Sequence, residues 1–80
     1  MNTLHAAIRQ AKRRRTLPPP AVRKQLRERL GLTQEHIATA INVDRVSVCR
    51  YETGQRTPRG AVLDRYLEVL DHLLKEGLEP

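Results

Sequence analysis

Eighty residues with fifteen basic and nine acidic side chains give a net charge of +6 and room for one domain at most. With no Trp, no Phe and two Tyr, the core must come from Leu, Ile, Val and Ala, which favours packed helices over a sheet. The single cysteine excludes an intramolecular disulfide and no apolar run is long enough to span a membrane, so a cytoplasmic protein without a membrane role is expected.

In chain order, the first predicted element is a helix from Thr3 to Arg15, capped by Asn2 or Thr3. Leu4, Ala7, Ile8 and Ala11 form a narrow apolar stripe at helical spacing, and the helix ends in the cations Lys12, Arg13, Arg14 and Arg15, which suit a helix C-terminus. Pro18-Pro19-Pro20 stops it. The second helix starts at Pro20 or Ala21 and ends at Leu30, with Val22, Leu26 and Leu30 as its buried edge and Gly31 at the left-handed stop.

Thr33 caps a third helix, Gln34 to Ile41, which turns Ile37, Ala38 and Ile41 inward. Asn42 follows, the non-glycine residue most tolerant of positive φ. Asp44 caps a fourth helix from Arg45 to about Thr53, and Gly54 ends it. Thr57-Pro58 reads as a cap with proline at the first helical position. The last helix runs to about Glu76, with Gly77 as its stop. Leu63, Tyr66, Leu67, Leu70, Leu73 and Leu74 give it the strongest helical periodicity in the chain, and Val62 and Val69 widen the stripe beyond one packing partner. Nothing alternates with period two over a strand length. The fold class is therefore all-α: a helix-turn-helix bundle of about four helices (18–80), an extra N-terminal basic helix or arm (1–17) and a long C-terminal helix.

Charge divides unevenly along the chain. Residues 1–31 hold nine of the fifteen basic residues and one of the nine acidic ones, which points to a polyanionic partner. The segment Gln34 to Arg50 is two short helices around a tight turn, a unit able to present its second helix to a DNA major groove. In that second helix Val48 and Tyr51 suit the core, and Ser47 is small enough to face the preceding helix. Arg45, Val46, Cys49 and Arg50 then point outward. Arginine can chelate guanine O6 and N7, and a valine methyl can meet a thymine methyl, so this strip suits a groove better than bulk water.

Leu30-Gly31-Leu32-Thr33-Gln34, Ile37-Ala38, Ile41-Asn42-Val43, Val48, Tyr51-Glu52 and Gly54-Gln55-Arg56-Thr57-Pro58 resemble the Cro/C1-type, lambda-repressor-like helix-turn-helix family of phage and bacterial repressors. The resemblance covers roughly residues 22–60, with its pieces in matching order and spacing. It implies binding to double-stranded DNA, usually as a dimer on a near-palindromic operator. Arg45, Val46, Ser47, Cys49 and Arg50 would then form the base-reading set. Gln34 would brace a phosphate and a base-reading side chain, and Thr33, Gln55, Arg56, Thr57 and Arg59 would lie along the DNA backbone. Arg27 and Glu52 match a pair that forms an internal salt bridge in related repressors. Three features depart from the family pattern: Asn42 stands at the turn glycine, one long helix replaces a short fourth and a fifth, and the N-terminal helix lies outside the shared region.

Other readings of single residues are weaker. Cys49 lacks neighbours that promise a reactive thiol beyond two arginines. His5, His36 and His72 are too scattered for a metal site, so no metal or other cofactor is expected, and no small-molecule ligand is evident. Lys12, Arg13, Arg14 and Arg15 suit DNA backbone contact better than a membrane surface, because no Trp or Phe anchor accompanies them. No catalytic constellation is present, so an enzyme is not expected. The leading expectation is a transcriptional regulator, most simply a repressor acting by operator occupancy, forming a homodimer through the C-terminal helix. The alternative is an antitoxin-like or adaptor protein that grips a protein partner with the surplus apolar stripe.

Overall fold

Local signals set where most helices begin and end in this computed structural model, which describes residues 2–78. Five α-helices follow one another: α1 (Asn2–Thr16), α2 (Pro20–Arg29), α3 (Gln34–Ile41), α4 (Arg45–Thr53) and α5 (Gly60–Leu78). No strand occurs among the described residues, so the chain is all-α.

Pro20 opens α2 at its first position, where a missing N–H costs nothing and φ is already helical. Thr33 caps α3 through a reciprocal pair of bonds. The His36 amide donates to Thr33 Oγ1 at 3.1 Å and the Thr33 amide donates to His36 Nδ1 at 2.9 Å, so a histidine fills the place usual for Glu or Gln. Asp44 caps α4 by accepting from the Ser47 amide at 2.7 Å. Between α3 and α4, Asn42 takes φ 59° and ψ 50°, and the Val43 amide reaches back to the Ala38 carbonyl at 3.0 Å. That closure sets the tight turn of a helix-turn-helix.

The C-terminal boundaries differ from the sequence expectation. Pro58 does not open α5; it is fully buried, and the helix begins two residues later at Gly60, which takes φ +59°. The proline ring fills the core instead, and the left-handed Gly60 follows it where the helix starts. Gly77 does not stop α5, which continues to Leu78.

Ile37, Ala38 and Ile41 of α3, Val48 and Tyr51 of α4, Leu26 of α2, and Tyr66, Leu70 and Leu73 of α5 form one buried cluster. Tyr51 and Tyr66 meet at 5.8 Å between centroids in a tilted arrangement. Burial pushes the Tyr66 phenol up to about 12. Val62 and Val69 pack against this cluster, so the width that looked surplus in the sequence is used within the chain.

The inner face of α2 is a further correction. Val22 and Leu30, expected in the core, are exposed, while Arg23, Leu26 and Arg27 are buried. Arg23 lies over the Tyr66 ring at 5.6 Å, and Arg27 meets a carboxylate described below. Long arginine stems cover apolar surface while their heads find an aromatic face or an acid, so cations can occupy helix positions where apolar residues were sought.

Candidate nucleic-acid interface

The rigid part of the site starts beneath its surface. Arg27 Nε donates to Glu52 Oε2 at 2.7 Å and Arg27 Nη2 donates to Glu52 Oε1 at 2.9 Å, a bidentate pair between α2 and α4. Arg27 Nη1 also donates to the Leu32 carbonyl at 2.8 Å, which ties down the segment before α3. Glu52 Oε1 accepts a second bond from Gln34 Nε2 at 3.1 Å. Gln34 in turn offers its Oε1 to Arg45 Nη1 at 3.5 Å. One polar chain therefore runs from the buried pair, through the first residue of α3, to the first residue of α4.

On α4, Val48, Tyr51 and Glu52 face inward. Arg45, Val46 and Arg50 are exposed, Val46 by 47 %, and Ser47 and Cys49 are half-buried between the two faces. An exposed valine between two exposed arginines on a short helix gains nothing from water. Asp44 is an acid beside this basic row. Its carboxyl is held below the usual range chiefly by the bonds from Ser47, with Arg50 and Arg56 nearby adding to the effect. Arg65 of α5 supports the unit from behind by donating to the Ile41 carbonyl at 2.9 Å, at the C-terminus of α3. That residue escaped sequence reading because its partner lies 24 positions away.

The chain after α4 folds back across its end. Gly54 takes φ +80°, and the Arg56 amide donates to the Arg50 carbonyl at 3.2 Å. Gln55, Arg56, Thr57 and Arg59 are exposed and, with Tyr51 and Val62, line an open cleft of about 590 Å³. The short helix bearing exposed Arg45 and Arg50 is thus joined at its start to Gln34, next to the exposed cap Thr33, and at its end to the loop bearing exposed Arg56 and Arg59. This combination matches a polyanion with a groove.

The remaining sequence candidates fall elsewhere. Lys12 is exposed on α1, whereas the side chains of Arg13, Arg14 and Arg15 lie outside the described residues. No group of His, Cys, Asp or Glu among the described residues is placed to hold a metal ion, and no described helix is long and apolar enough to cross a membrane.

Among known families, the model described as "Helix-turn-helix domain" matches residues 24–72. That span runs from α2 into α5 and includes all of α3 and α4. No curated protein and no solved structure matches the chain significantly.

Proposed function

The chain belongs to the helix-turn-helix domain family, and we propose that it is a sequence-specific double-stranded-DNA-binding regulator of transcription. The observation that carries this reading is the exposed row of Arg45, Val46 and Arg50, with Arg45 joined through Gln34 to the buried Arg27–Glu52 pair. In this reading α4 enters the major groove. Arg45 and Arg50 sit about 7.5 Å apart along the helix axis, enough to address different base pairs of one half-site. Val46 meets a thymine methyl, and Ser47 and Cys49 line the groove wall.

Thr33, Gln34, Gln55, Arg56, Thr57 and Arg59 hold the phosphates on either side, and Lys12, Arg13, Arg14 and Arg15 add charge from the N-terminal arm, residues 1–17. These contacts fix register and orientation, and base edges supply the discrimination. The regulator acts in the cytoplasm as a repressor by operator occupancy, in the manner of the phage and bacterial Cro/C1-type proteins its motifs resemble. It binds a two-fold site as a homodimer through the C-terminal helix.

Selection of bound sequences from a random duplex pool tests the reading directly. The expected result is one short consensus with two-fold symmetry. A pool that fails to enrich, while the protein still retains DNA at low salt, would reduce the function to charge-driven, sequence-independent binding.

A further inference from the structure

Asp44 is an exposed acid set among cations. Arg45 follows it directly, and Arg50 and Arg56 lie close enough to help lower its carboxyl, although Asp44 forms no ion pair with a described residue. It stands at the start of α4, and a helix that enters a major groove brings its first residues to the base edges.

Helix capping accounts for part of this placement. Asp44 Oδ1 accepts from the Ser47 amide at 2.7 Å, and an acid suits the positive end of a helix dipole. Asn and Ser cap a helix about as well as Asp does, so the cap alone does not call for a negative charge. A carboxylate only accepts hydrogen bonds, at about four lone-pair sites, and the cap occupies part of that capacity. The rest is carried on an exposed group that Ser47 already holds in place.

A phosphate backbone repels this charge. In the free protein the field of Arg50 and Arg56 offsets it. Under the function proposed above, Arg50 turns to a base edge and Arg56 to a phosphate, so Asp44 would meet a polyanion with that compensation reduced. A hydrogen-bond donor on the DNA reverses the sign of the contact. Two donors occur on the major-groove edges, cytosine N4 and adenine N6. Adenine sets its N7 acceptor beside the amine, where a carboxylate is repelled. Cytosine presents its amine with no neighbouring acceptor on the same base.

We infer that Asp44 is a specificity-determining residue whose carboxylate accepts a hydrogen bond from a cytosine N4 amine and disfavours sites that lack one. This deepens the DNA-binding reading given above and rests on it. The selection works by penalty as well as by attraction. A site with the cytosine gains a bond, and a site without it leaves a negative charge facing DNA. Arg45 and Arg50 favour guanine; Asp44 rejects what the arginines would tolerate.

The test is selection from a random duplex pool at one salt concentration with the parent, Asp44→Ser and Asp44→Asn. Each protein is then titrated with the parent's selected site and with random duplex. Both replacements keep a helix cap, and circular-dichroism melts check that the fold is retained. They differ in what they show the DNA: serine is short and neutral, whereas asparagine, its oxygen held by the Ser47 amide, presents an NH2 group. The parent consensus should contain a C·G pair that Asp44→Ser leaves open to all four bases. Asp44→Asn should exchange that cytosine for guanine or thymine, whose edges present acceptors. Both variants should bind random duplex more tightly than the parent, and their ratio of specific to random affinity should fall roughly tenfold. A parent that enriches no consensus overturns the sequence-specific reading and this inference with it. A parent consensus that Asp44→Ser reproduces at every position, or an Asp44→Asn consensus that keeps the cytosine, overturns the inference alone and leaves Asp44 a helix cap.

Discussion

Replacing Glu52 with alanine should lower stability by about 3 kcal/mol, because it strands a cation rather than deleting a contact. The Glu52 side chain is 2 % exposed and that of Arg27 10 %, so neither charge can recover its full hydration in place. After the substitution Arg27 keeps only its bond to the Leu32 carbonyl, and Gln34 loses its acceptor. Breaking one side of a buried pair costs roughly 3–5 kcal/mol, and the slight exposure of Arg27 places this case at the lower end. In a domain of this size each kcal/mol shifts the melting temperature by roughly 4–8 °C, so a fall of about 12–24 °C is expected in a circular-dichroism melt. Arg27→Met should cost more, about 4–5 kcal/mol, because the stranded Glu52 is the more deeply buried partner. The double variant Arg27→Met/Glu52→Leu should recover most of the loss, since it removes both charges together. Molar salt should change these differences little, because buried pairs are poorly screened. If the single variants each cost less than about 1 kcal/mol, or the double variant is simply their sum, the pair is not the internal strut described here.

Three further outcomes follow from the site. Arg50→Ala should cost about 1–3 kcal/mol on the selected DNA sequence and less on random duplex, and Arg45→Ala should relax preference at a different base pair; competition titrations at matched salt measure both. Arg56→Ala should weaken all sequences alike and flatten the log–log salt dependence by about 0.9, read from titrations across a salt series. Asp44 supplies stability with a defined acid limit. Its folded pKa lies below the ordinary 3.8, so its contribution is present above that value and is lost as pH falls through the lowered one. The melting difference between the parent and Asp44→Ala should therefore hold from pH 7 to about pH 5 and shrink in more acid buffer.

The middle of the fold is legible in the sequence because its punctuation is local. Thr33 and Asp44 bond to amides three residues on, and Asn42 and Gly54 take left-handed conformations next to the helices they end. Each can be read from a few neighbouring residues. The helical phase of α4 is legible for the same reason, since Val48 and Tyr51 mark its inner side and leave Arg45, Val46 and Arg50 opposite. What stayed hidden depends on distant partners. The inward turn of Arg23 requires Tyr66, and the bond from Gln34 to Glu52 spans 18 positions; the Arg27–Glu52 pair, 25 positions apart, is legible only through the family resemblance and not from local pattern. Pro58 misled for a related reason: next to Thr57 it has the local form of a helix start, but the space that takes its ring is made by residues elsewhere in the chain.

The loop between α4 and α5 is held at three points: Gly54 in its left-handed turn, the Arg56 amide on the Arg50 carbonyl, and Pro58 sealed in the core. Gln55, Arg56 and Thr57 are thus exposed side chains on an immobilised backbone. Ordering a free backbone costs about 1–2 kcal/mol per residue. Here that entropy is surrendered when the chain folds, so it is not lost again when an anion arrives. The same arginines on a slack loop would exert the same long-range attraction but form a shorter-lived complex, because every contact would have to restrain its own piece of chain. If this face holds DNA as proposed, its affinity depends on a buried proline ring as well as on surface charge.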